Sequence, residues 1–99
     1  MKVVINKCHG GFGLSDKAYE KLNEWGMSFT KIDGYWEPYG WGRDNRADTL
    51  LIRVVEELGE EANGDYAELK VVEIPDDVAY DVQEYDGLEW IAEVHQTWG

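Results

Sequence analysis

Apolar residues fall along this chain in two periods, and each period marks out elements. Val3-Val4-Ile5 form a short continuous apolar run, so residues 2–6 read as a buried strand. From Asp16 to Trp25 the period changes to helical, with Ala18, Tyr19, Leu22 and Trp25 on one face. Ser15 stands at the N-cap and Asp16 in the first turn, where a carboxylate favours the helix dipole. Gly26 follows as a left-handed stop. A second helix is expected from an Asp48 cap to about Leu58. Its stripe is Leu51, Val54, Val55 and Leu58, and Gly59 ends it.

Between the helices the period is lost. Ser28 to Ile32 fit a short strand, and Asp33 to Arg46, broken by Gly34, Pro38, Gly40 and Gly42, reads as a long loop. Residues 60–65 make a polar connection. Ala67 to Ile74 then alternates Leu69, Val71 and Glu73 with Lys70, Val72 and Ile74. Apolar groups on both faces predict a central strand. After the break at Pro75-Asp76-Asp77, Val78, Tyr80 and Val82 define a strand with one wet face. Tyr85-Asp86-Gly87-Leu88 carries the Asp-Gly pair of a tight hairpin. Trp90, Ala92 and Val94 are expected to face inward on the last strand, with Ile91 outside that pattern. The expectation is a single α+β domain, residues 1–99, in the order β-α-loop-α-β-β-β. Its sheet is mainly antiparallel, with two helices on one face.

Composition narrows the function classes. At 99 residues the chain can bury roughly 60–68% of its unfolded surface, enough for one modest core. Five Trp and six Tyr argue against disorder as the overall state. A single cysteine, Cys8, excludes an internal disulfide and fits a reducing compartment. The apolar runs are too short for a signal peptide or a membrane span, so a cytoplasmic protein is expected. The net charge of −12 is unevenly spread. Residues 1–46 hold seven basic and six acidic groups, whereas residues 47–99 hold two and fifteen. Direct DNA binding is therefore not expected, and any anion site belongs in the first half.

That half contains Asn6-Lys7-Cys8-His9-Gly10-Gly11-Phe12-Gly13-Leu14-Ser15, a glycine-rich turn between strand and helix. Amides converging at a helix N-terminus receive anions, with Lys7 adding charge and Ser15 a hydroxyl. Neither the P-loop spacing nor the dinucleotide fingerprint is present. The plain alternative is a turn that lets strand and helix pack closely, with Phe12 plugging the core. Tyr35, Trp36, Tyr39 and Trp41 make the long loop aromatic beside Arg43 and Arg46, suited to stacking a base or sugar or to anchoring a protein partner. The alternative there is a loop that folds its own rings over the core edge.

The strongest ligand reading is a binding module for a small phosphorylated, nucleotide-like molecule. Lys7, His9, Gly10, Gly11, Gly13 and Ser15 would lie on the phosphate side, and Trp36, Trp41, Arg43 and Arg46 on the base side. The acidic second half offers a different reading, a module that docks on and modifies a basic host or virion protein, against the bland view of a solvated face. A small enzyme using Cys8, His9 or His95 ranks last, because no base and orienting partner is visible. One Cys and two His are too few for a closed zinc site without a carboxylate, and EF-hand spacing is absent. No cofactor or metal is expected, and homodimerisation stays open.

The opening residues 3–15 resemble those of a family of small tailed-bacteriophage and prophage proteins, with the motif Asn-Lys-Cys-x-Gly-Gly-Phe-Gly-Leu-Ser. Val54-Val55-Glu56-Glu57-Leu58-Gly59, residues 69–76 and residues 85–90 are similar to it as well. Val94 and Gln96 stand where the family's Glu-Lys-His-Arg-Thr-Trp ending has basic residues. The resemblance implies a phage or prophage origin, hence an accessory protein in the host cytoplasm, in which binding of a nucleotide-like ligand would serve to sequester a host signal. It brings no established activity with it.

Overall fold

The first strand, β1 (Lys2–Asn6), is the middle of the molecule. Val3, Val4 and Asn6 are wholly buried and Ile5 almost so, because both faces of β1 are covered by different layers. The computed structural model of the chain describes residues 1–37, 41–42 and 45–93. Over these residues β1 is followed by α1 (Asp16–Glu24), β2 (Thr30–Ile32), β3 (Tyr35–Glu37), α2 (Thr49–Leu58), a 3₁₀ turn (Gly59–Ala62), β4 (Leu69–Glu73), β5 (Tyr80–Tyr85) and β6 (Leu88–Glu93). The class is mixed α+β. Every strand pairing is antiparallel: β1 with β4, β2 with β3, and β5 with β6.

One face of the β1–β4 ribbon packs against both helices. Val4 meets Leu14, Ala18, Leu22, Leu51, Val54, Val55 and Ala62 there, and Leu69 and Val71 of β4 close that core. The opposite face carries Val3 and Ile5, which pack with Val82 and against Val72, Ile74, Tyr80 and Ile91. Each fully buried Leu or Val is worth about 1.5–3 kcal/mol relative to exposure. Two small cores therefore share one ribbon.

The helix ends form as their sequences require. Ser15 Oγ accepts from Ala18 N at 3.1 Å. Asp48 Oδ1 accepts from Leu50 N and Leu51 N at 2.9 and 3.0 Å. Gly26 follows α1 at φ 107°.

Four features depart from the sequence expectation. The expected strand over residues 28–32 forms as β2, but the stretch after it, read as a loop, holds β3 and closes a β2–β3 hairpin that turns at Asp33 and Gly34 (φ 50° and 85°). Asp86 and Gly87 adopt the same left-handed pair (φ 51° and 90°), the two-residue turn that matches strand twist. Among the described residues the expected single sheet is divided into three two-stranded ones, and the helices cover one face of the β1–β4 ribbon. Within this, β4 has one strand partner among the described residues, not two. Its apolar residues on both faces reflect helices on one side and the β5–β6 hairpin on the other. Finally, β6 is turned over: Glu89 and Ile91 face inward and Trp90 is 42% exposed. Val94, expected on that inner face, lies outside the described residues.

A buried ion pair causes the reversal of β6. Glu89 Oε1 and Oε2 accept from Arg46 Nη1 and Nη2 at 2.5 and 2.8 Å, with side chains only 5% and 3% exposed. Glu89 Oε1 also accepts from Asn6 N at 2.8 Å, and Arg46 O accepts from Val4 N at 2.9 Å. These groups satisfy the edge of β1 that faces away from β4, where a neighbouring strand would otherwise bond. Arg46 Nε donates to the carbonyls of Trp41 and Gly42, and the guanidinium lies 3.7 Å over the Phe12 ring. Bidentate geometry and full partnering are what make such a buried charge tolerable.

Candidate functional site

The glycine-rich turn leaves β1 at Asn6, whose side chain fixes the direction. Asn6 Nδ2 donates to the carbonyls of Cys8 and Gly87 at 2.6 and 2.7 Å, and its Oδ1 accepts from Glu68 N at 2.8 Å. The turn then threads between residues 62–68 and the tip of the β5–β6 hairpin. A Cβ on Gly10 would overlap the Tyr66 backbone, and one on Gly87 would lie 2.5 Å from Gly11 N. Gly64 N donates to Gly13 O, and Ser15 N to Ala62 O, both at 2.9 Å. The close-packing function weighed for this turn is thus built in, and Phe12 packs against the helical core.

The groups proposed for phosphate fare unevenly. Ser15 Oγ caps α1 and donates to Glu61 O at 2.6 Å, so its hydroxyl is engaged on both sides. Asp16 and Glu61 stand beside the helix start, paired with Lys31 and Lys17. Lys7 and His9 are exposed. Arg46 must be corrected outright. Its guanidinium is buried with Glu89, so it serves the interior and not a ligand. Arg43, with Tyr39 and His95, lies outside the described residues. Cys8 is half-buried and unpaired, and no cluster of metal-ligating side chains occurs among the described residues.

The two stretches singled out separately in the sequence meet across a cleft of about 410 Å³. Phe12, Gly13 and Leu14 of the turn form one side. Gly34, Tyr35 and Trp36 of the β2–β3 hairpin form the other, with Tyr19, Trp41 and Gly42 between them. Of the expected ligand residues, Gly13, Trp36 and Trp41 therefore line one space, whereas Lys7, His9, Gly10, Gly11 and Ser15 do not. The walls are a chain of rings. Trp36 stacks on Tyr19 at 4.9 Å and 15°, Tyr19 meets Phe29 edge-on at 4.9 Å, and Phe29 lies 6.1 Å from Trp41. Trp41 Nε1 is buried and has no hydrogen-bond partner among the described residues. A buried donor left this way costs about 1–3 kcal/mol.

Asp16 holds the hairpin wall in place. Lys31 Nζ donates to Asp16 Oδ2 at 2.9 Å and Trp36 Nε1 to Oδ1 at 2.8 Å. The Lys31 hydrogen bond, followed by that of Trp36, keeps the Asp16 carboxyl below its ordinary pKa. No signal in the sequence pointed to this role, since Asp16 reads locally as a first-turn acid.

Among the described residues no helix is long and apolar enough to cross a membrane. No protein-family model matches the chain, and no curated protein or solved structure matches it with significance.

Proposed function

We propose that this protein is a binding module for a small nucleotide-like ligand whose planar ring enters the cleft between the glycine-rich turn and the β2–β3 hairpin. One observation carries the reading: Gly13, Trp36 and Trp41, from stretches far apart in the chain, line the same aromatic space. Its volume falls in the range of small-molecule sites. Trp36 and Trp41 supply ring faces, and stacking a base on such a face is worth about 1–3 kcal/mol. Trp41 Nε1 supplies a donor for a ring nitrogen or carbonyl of the ligand. With Ser15 engaged elsewhere and Lys7 and His9 outside the cleft, the ring rather than the phosphate is the main handle. In a phage-type accessory protein, such a cleft would withhold a host nucleotide signal from its receptor.

Isothermal titration with the common nucleosides and their monophosphates tests the reading. At least one should bind, and Trp41→Phe, which keeps a ring but removes the donor, should weaken it about fivefold. A Cβ on Gly13 meets nothing within 4 Å, so Gly13→Val should fold normally and narrow the cleft. Silence across the panel, or wild-type affinity in Gly13→Val, would remove the cleft from consideration.

A further inference from the structure

The face of the β5–β6 hairpin turned away from the core is a second surface, separate from the cleft. Gln83 lies directly opposite Trp90, Tyr85 opposite Leu88, and Asp81 opposite Ala92, so these six side chains share one face. Tyr85 is 72% and Trp90 42% exposed. Gln83 Nε2 donates to Asp81 Oδ2 at 3.0 Å, and the register makes Asp81 the diagonal neighbour of Trp90.

Two other rings at the boundary of the core, Trp25 and Phe12, already carry a guanidinium. Arg53 lies 4.0 Å over Trp25, and Arg46 lies 3.7 Å over Phe12. Trp90 and Tyr85 have no ring or cation partner among the described residues. Residues 75–93 contain seven acids and no Lys or Arg. Arg46 neutralises Glu89 and the N-terminal ammonium pairs with Asp76, so the remaining acids set a negative field around the uncovered rings.

We infer that this face docks an arginine-bearing segment of a partner protein, with a guanidinium stacked on Trp90 and its charge met by Asp81 and its acidic neighbours. Arginine is favoured over lysine because a planar guanidinium stacks on a ring while its N–H groups reach carboxylates at the side. Nucleic acid is excluded as occupant by the sign of the field.

The test uses the full chain and a fluorescent short peptide of alternating Arg and Gly, with its Lys counterpart as comparison. The Arg peptide should bind about threefold more tightly than the Lys peptide. Trp90→Ala should weaken the Arg peptide about fivefold, and Tyr85→Ala should weaken it less. Added salt should weaken it further. Circular dichroism of each variant confirms that it is folded. Equal affinity for the two peptides, or unchanged affinity in both variants, would reduce the effect to bulk charge and overturn the inference. It also falls if the protein alone sediments as a dimer that Trp90→Ala dissociates, because the face then belongs to a second copy.

Discussion

Two carboxylates in this protein are each shared between a cation and a neutral N–H group, in opposite surroundings. Glu89 is shared between the Arg46 guanidinium and the Asn6 amide. Asp16 is shared between the Lys31 ammonium and the Trp36 indole. The first pair is 3% and 5% exposed, the second 43% and 62%. Inside, water cannot replace a lost partner, so each group depends on the other and the set becomes a fixed part of the core. Outside, water competes for every bond, and the same arrangement is a fastening that can open. Location, not bonding pattern, decides that one ties the fold together and the other merely positions a wall of the cleft.

The sharpest way to break the comparison is Glu89→Ala. It leaves a buried guanidinium and an unpaired Asn6 amide, and should cost about 3–5 kcal/mol in urea unfolding. A loss below 1 kcal/mol would show that water reaches the site and that burial does not separate the two carboxylates. A gentler change, Arg46→Lys, keeps the charge but loses the second bond to Glu89 and the bonds to the Trp41 and Gly42 carbonyls. About 2 kcal/mol is expected, measured the same way. Asp16→Ala should have the smallest global effect. Its unfolding midpoint should stay near wild type, while amide exchange accelerates in residues 30–37 only. Acid titration sharpens the contrast further. Because the folded pKa of Asp16 is depressed below 3.8, its contribution is complete above that value and is lost as pH falls through the folded value. The Trp36 indole proton should therefore shift only below about pH 4, in step with loosening of the hairpin.

Much of this was legible because it is local. Ser15 and Asp48 cap helices, Gly26 ends one, and Asp86-Gly87 turns a hairpin, each through contacts within a few residues. Asp33-Gly34 makes the same turn, yet its flanking strands are three residues long and lack alternation, so the dipeptide read as loop punctuation. The inversion of β6 was hidden because Trp90 and Ala92 are the apolar choice by period. Only an arginine 43 residues away turns Glu89 inward. Half of the site was visible in the same way. Residues 12–14 and the tryptophans each stood out, but their meeting depends on the β2–β3 hairpin folding back onto Tyr19. Ser15 read as a phosphate contact and Arg46 as a base contact because sequence shows what a side chain can bond and not what already bonds it.

The order in which β1 gains its neighbours has a consequence for biogenesis. Its edges are satisfied by Arg46, by residues 69–73 and by Glu89, all made long after it. Such distant pairing is slow to nucleate. A nascent chain therefore carries β1 without its strand mate until residues 69–73 have left the ribosome and with one edge incomplete until residue 89 follows, and in that interval Val3-Val4-Ile5 is a natural handle for a holding chaperone.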